Sequence, residues 1–130
     1  MKKETNAGIF IHSGRKPWPH EMRVAKVLAA SNHYVEFLPE SILHTADIKI
    51  DGVDFEIKSP ESFNVNTFEH VLKNATKQSR NLIIDTYRLK KIKDVKVAMF
   101  LTNYCKRQKR IECLILITKN GKIIDIFGSF

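Results

Sequence analysis

The chain has 130 residues, 43% of them hydrophobic, and a formal net charge of +8. That length and apolar content suit one globular domain, residues 1–130, and exclude a disordered chain. No apolar run approaches the ~20 residues of a membrane-spanning helix, no signal-peptide pattern follows Lys2, Lys3 and Glu4, and Cys105 and Cys113 lack metal or framework spacing and read as buried free thiols.

Residues 1–7 read as an irregular start, and residues 8–12 as a short strand ending at Ser13-Gly14. Lys16-Pro17-Trp18-Pro19 is a stiff entry into a helix over residues 20–31, with Pro19 near the first turn, where its missing N–H is tolerated. Val24, Ala25, Leu28 and Ala29 form the apolar stripe of that helix. Glu21 falls one turn before Ala25 on the same stripe. Two readings of it stand: a surface residue complementing the helix dipole, or an inward carboxylate serving as a third metal ligand. His20 reads as an exposed first-turn residue. Asn32 suits a left-handed helix end, and residues 34–38 form a strand stopped by Pro39.

Residues 46–58 then carry the strongest local signal. Asp51-Gly52 favours a type I′ turn, which needs φ > 0 at both central residues. That turn pairs Ile50 with Val53, Lys49 with Asp54, Ile48 with Phe55 and Asp47 with Glu56. Alternation puts Ile48, Ile50, Val53, Phe55 and Ile57 on an apolar face, and Asp47, Lys49, Asp54, Glu56 and Lys58 on the other. Two opposed carboxylates about 5 Å apart repel by roughly 3 kcal/mol at an effective dielectric near 20. A divalent cation reverses that sign, and Lys58 adds a positive charge beside it. Carboxylates, an ammonium and a metal form a set suited to phosphodiester hydrolysis by a metal-activated water. An ordinary solvated strand face with a Lys49–Asp54 salt bridge is the competing reading.

Ser59-Pro60 ends the second strand, and residues 61–65 form a loop. A helix starts at Asn66 with Glu69 as a capping-box match, burying Phe68, Val71, Leu72 and Ala75. Its polar stripe, Thr67, Asn74 and Gln78, faces either solvent or the carboxylates. Residues 82–85 are a continuous apolar strand, buried on both faces. Residues 94–109 fit a third helix with Val97, Ala98, Leu101, Tyr104 and Cys105 inward. Residues 111–118 and 122–127 flank Asn120-Gly121 as a second hairpin. The fold class expected is α/β, a mixed sheet flanked by helices.

Charge is segregated along the chain. Residues 88–110 hold nine Lys and Arg against Asp94 alone, whereas seven acidic residues fall within 36–61. A basic region beside an acidic one suits a nuclease, which grips phosphates with one and cuts at the other; a solvated helix face explains the basic run equally simply.

Asp47 followed by Glu56-Ile-Lys58 on a hairpin, after a helix bearing Glu21 and before one bearing Gln78, resembles the PD-(D/E)XK nuclease superfamily. The phrases Val35-Glu-Phe-Leu-Pro39, Ala46-Asp-Ile-Lys-Ile-Asp51, Phe55-Glu-Ile-Lys-Ser-Pro60, Lys77-Gln-Ser79 and Ile83-Ile-Asp85 are similar to the C-terminal tRNase domain of contact-dependent growth-inhibition (CdiA-type) toxins, over roughly residues 17–127. The resemblance implies a metal-dependent endonuclease with Asp47 and Glu56 as ligands, Glu21 as accessory ligand, Lys58 catalytic, and Thr67 and Gln78 in support. It implies tRNA as substrate, a cognate immunity protein as partner, and action in the bacterial cytoplasm after delivery as a secreted toxin domain. Oxygen ligands favour Mg²⁺ or Mn²⁺, with Zn²⁺ open through His20. Ala46 stands where the superfamily's proline would be; that proline supplies no ligand. A DNA endonuclease of the same fold, or a catalytically inactive nucleic-acid-binding module, are the alternatives.

Overall fold

The computed structural model describes residues 7–40, 46–128 and 130. The irregular start expected at residues 1–7 lies outside them, Ala7 excepted. The elements are β1 (Gly8–Ile11), α1 (Pro19–Ala30), β2 (Tyr34–Phe37), β3 (Ile48–Ile50), β4 (Val53–Lys58), α2 (Val65–Ala75), β5 (Asn81–Asp85), α3 (Asp94–Lys106), β6 (Cys113–Ile117) and β7 (Ile123–Phe127). The strands make one mixed seven-stranded sheet in chain order. Pairs β1–β2, β4–β5 and β5–β6 are parallel, and each is joined by a helix, as a parallel connection requires. The remaining neighbours are antiparallel.

The first hairpin forms as its turn residues dictate. Asp51 has φ 49° and Gly52 φ 87°, and Ile50 pairs with Val53, Lys49 with Asp54 and Ile48 with Phe55. Asp51 does more than turn the chain: its carboxylate accepts the Tyr34 N–H at 2.8 Å and contacts His33 Nδ1 at 2.7 Å, tying the hairpin to the start of β2. Asn32 ends α1 in the left-handed region, φ 72°.

The sheet is buried on both sides. Ile48, Ile50, Phe55 and Ile57 pack with Val24, Ala25 and Leu28 of α1. Val53, expected on that face, sits at the hairpin tip and is 48% exposed. On the opposite side Phe68, Leu72 and Ala75 of α2 and Val97, Leu101 and Cys105 of α3 cover Leu82, Ile84, Leu114 and Leu116. Strands β5 and β6 therefore contribute alternate residues to both cores, which is why they read as unbroken apolar runs. Both cysteines are buried. Among the described residues, no helix is long and apolar enough to cross a membrane.

Helix boundaries differ most from expectation at α2 and α3. α2 begins at Val65, because the extended Asn64 is the cap and its Oδ1 accepts the Thr67 N–H at 3.2 Å. Glu69 is thereby displaced from the capping-box position and lies 3.5 Å from Arg107. α3 stops at Lys106, short of the expected residue 109.

A part-buried ion pair ties α1 to the sheet. Arg23 Nη1 donates to Asp85 Oδ1 at 2.6 Å, and its Nη2 donates to the Thr118 and Lys119 carbonyls at 2.8 and 3.0 Å. Asp85 is fully buried at the end of β5 and also accepts from Ser59 Oγ and Tyr87 N, each at 3.1 Å. The Arg23 guanidinium lies 4.3 Å from the centre of the Tyr87 ring. Removing one partner of such a pair strands the other's charge in the core. Arg23→Ala is therefore expected to cost about 3 kcal/mol in urea-induced unfolding, and a loss below about 0.5 kcal/mol would contradict this account of how α1 is held.

Candidate active site

The site opens where β4 changes partners. Residues 53–55 pair with β3 and residues 56–58 pair with β5. The β3 ladder stops at Ile48, so the expected Asp47–Glu56 ladder pair does not form. The antiparallel pattern, continued, would set the Ile57 N–H against the Ala46 carbonyl. Instead the Asp47 side chain reaches across and Oδ2 accepts that N–H at 2.9 Å. The two acids still share one cleft: Asp47 and Glu56 both line it, and the Asp47 charge acts on Glu56.

Glu56 is the unusual member. It is 4% exposed, and its Oε1 is buried with no hydrogen-bond partner among the described residues. Oε2 faces Lys58 Nζ at 3.3 Å. Burial first, and the Asp47 charge second, push the Glu56 carboxyl from 4.5 up to about 8, against the opposing pull of Lys58.

The cleft around this group, about 330 Å³, is walled by Trp18, His20 and Glu21 from the start of α1, by Ser59 and Pro60 after β4, by Val71 of α2, and by Arg88. Glu21 is buried, as its place on the apolar stripe implied. Its Oε1 accepts the Trp18 N–H at 2.9 Å and Arg15 Nη2 at 3.3 Å. It thus caps its own helix and neutralises a buried guanidinium. Among the described residues no three His, Cys, Asp or Glu side chains cluster as a metal-binding set. The convergent unit is Asp47 and Glu56 with Lys58. Adjacent carboxyl groups, one with an orphaned buried oxygen, are the donor type a hard cation takes, so the residues present fit a divalent ion.

Thr67 and Gln78 do not line the cleft; Val71 is what α2 presents to it. Thr67 is exposed in the first turn of α2. Gln78 lies beyond the helix end at Ala75, where helical spacing from Thr67 no longer applies, and its Oε1 is buried without a partner among the described residues. Conversely, three wall residues were invisible as a motif: Trp18, Ser59 and Arg88. The Ser59 carbonyl accepts Arg88 Nε and Nη2 at 3.1 and 2.5 Å, which fixes the guanidinium at the cleft. The nearest signal in the sequence is that Arg88 opens the basic run.

Comparison with known proteins adds a family to this geometry. No curated protein matches the chain. A solved structure, the CdiA-CT/CdiI toxin and immunity complex from Burkholderia pseudomallei, contains a chain of the same fold, with a TM-score of 0.68 and 17% identity over 91% of this chain and 98% of that one. Residues 44–123 match the contact-dependent growth inhibition CdiA C-terminal domain. With more than half its length so matched, the chain belongs to the family of CdiA C-terminal domains of contact-dependent growth inhibition.

Proposed function

We propose that this domain is a metal-dependent endonuclease of the PD-(D/E)XK type, a toxin acting on RNA, with tRNA as the favoured substrate. The observation that carries the reading is that Asp47, Glu56 and Lys58 line one open cleft, with Lys58 Nζ 3.3 Å from Glu56. Two carboxyl groups pressed together under a helix have no packing purpose, and their repulsion opposes folding.

In this mechanism Asp47 and Glu56 hold a divalent cation, Mg²⁺ or Mn²⁺ by donor type. Glu21, held by Arg15 and the Trp18 N–H, serves the helix start and lines the cleft. When bound, the cation neutralises charge on the scissile phosphate and makes water a nucleophile at neutral pH. Glu56 would serve as a ligand in its ionised form, with the Lys58 ammonium beside it available to the phosphate. The Lys58 ammonium then donates to a phosphate oxygen and stabilises the charge developing there. Arg88, held by the Ser59 carbonyl, grips the neighbouring phosphate. The toxin–immunity complex of similar fold supports a cognate immunity protein as partner, and family membership supports delivery into the cytoplasm of a target bacterium.

A gel of tRNA and plasmid digests, with Mg²⁺ or Mn²⁺ and with chelator, tests the activity: tRNA is cut only with metal, and selective cutting of plasmid moves the substrate to DNA. Asp47→Asn, Glu56→Gln and Lys58→Ala are each expected to lower cleavage by about 100-fold or more, with circular dichroism unchanged; undiminished cutting by both Glu56→Gln and Lys58→Ala removes this mechanism. Stability supplies a separate check. Because folding raises the Glu56 pKa, its contribution is present below pH 4.5 and is lost as pH rises towards 8. The metal-free protein should therefore lose thermal stability across that window. Glu56→Gln should flatten the loss, and Mg²⁺ or Mn²⁺ should restore Tm at pH 8 in the wild type only.

A further inference from the structure

Trp18 has no structural reason to be where it is. It occupies the N-cap of α1, a position where a side-chain oxygen is preferred and where indole offers only a donor. The capping is done by Glu21, which accepts the Trp18 N–H. Nor does the ring serve the core: Trp18 is 64% exposed, and among the described residues no ring contact holds it. Yet its backbone is unusually constrained. Pro17 and Pro19 flank it, its φ and ψ of −68° and 155° are those a residue before proline must adopt, and Glu21 is itself locked by buried Arg15. An exposed indole is thus displayed from a rigid stem on the wall of the cleft that holds Asp47, Glu56 and Lys58.

We propose that Trp18 is a stacking platform for an unpaired nucleobase next to the scissile phosphate. The inference rests on the nuclease reading of the same cleft and narrows its substrate to a nucleotide splayed out of a helix. The chemistry of the wall supports a nucleotide over other planar partners: a large π face lies beside the fixed Arg88 guanidinium, in a chain of net charge +8. Base stacking on an aromatic ring tolerates any base, whereas a paired base has no free face to offer. Trp18 therefore selects for strand state and leaves sequence unread. The rigid stem lowers the entropy lost when the ring is pinned.

Trp18 is the single tryptophan of the chain, so its fluorescence reports on this ring alone. In chelator, wild-type protein is titrated with a 12-nucleotide single-stranded RNA, the same sequence as a duplex, and an abasic ribose-phosphate strand of equal length. Quenching is expected with the single strand, weak quenching with the duplex, and none with the abasic strand. Trp18→Ala should bind the labelled single strand about tenfold or more weakly by fluorescence polarisation, with Trp18→Phe recovering most of that loss and the Tm of both near wild type. The cleavage assay, run with metal, should show the Trp18→Ala defect in KM. Binding without quenching, equal binding of the abasic strand, or an unaffected Trp18→Ala overturns the proposal, as does a fluorescence change produced only by an immunity protein. Quenching without cleavage leaves the platform standing and rejects the nuclease; cleavage without quenching does the reverse; neither binding nor cleavage rejects both.

Discussion

The hydrogen bond from the Ile57 N–H to Asp47 Oδ2 is the point on which the cleft depends. β4 must serve two neighbours, antiparallel β3 with its first half and parallel β5 with its second. Where it transfers, one backbone donor loses its ladder partner, and a buried donor without an acceptor costs about 1–3 kcal/mol. A carboxylate replaces the missing carbonyl. That choice does two things at once. It lets β3 and β4 part, which makes room for a ligand, and it draws an acid against Glu56. A backbone carbonyl in that place would have satisfied the donor while closing the cleft and bringing no charge.

The remaining walls are held by long-range polar links to the same strand end. Ser59, the first residue after β4, donates to Asp85 and accepts from Arg88, while Asp85 anchors Arg23 of α1. α1, β4 and β5 thus converge on one buried carboxylate close to the cleft. The same pattern qualifies the role of the basic charge. Arg80 donates to the Arg110 and Lys109 carbonyls, Lys119 to the Ile92 carbonyl, and Arg107 pairs with Glu69 beside Tyr104. These cations satisfy the chain's own acceptors. Of these three only Arg107 belongs to the run over residues 88–110, so they lower the free positive charge of the chain without emptying that run.

What was legible in the sequence is what short range decides. Asp51-Gly52 set the hairpin register, Asn32 the end of α1, and unbroken apolar runs the burial of β5. Asp47, Glu56 and Lys58 were singled out by strand periodicity and the hairpin, and all three line the cleft. Errors arose where two local signals compete or where periodicity ends. Asn64 and Asn66 are both plausible caps, and only the extended backbone of Asn64 separates them. Gln78 was counted as helical although α2 stops three residues earlier. Arg88 reaches Ser59 across 29 residues, and Trp18 is notable only because its ring is left uncovered. Neither fact has a sequence period.

Glu56 shows why such a cleft marks function rather than architecture. A glutamine there would accept from Lys58, leave Asp47 its hydrogen bond to Ile57, and remove a like-charge contact. Apolar residues of similar size would bury at least as well. Each alternative folds more readily at neutral pH than an acid whose carboxyl is pushed up to about 8. Glu56 therefore sits at a cost to the metal-free fold. On the proposed function a divalent cation would offset that cost through charge, in the folded state, where β4 and the Asp47 side chain bring the oxygens to one cleft. The ion that would equip the cleft for catalysis would then also relieve the strain on which the cleft is built.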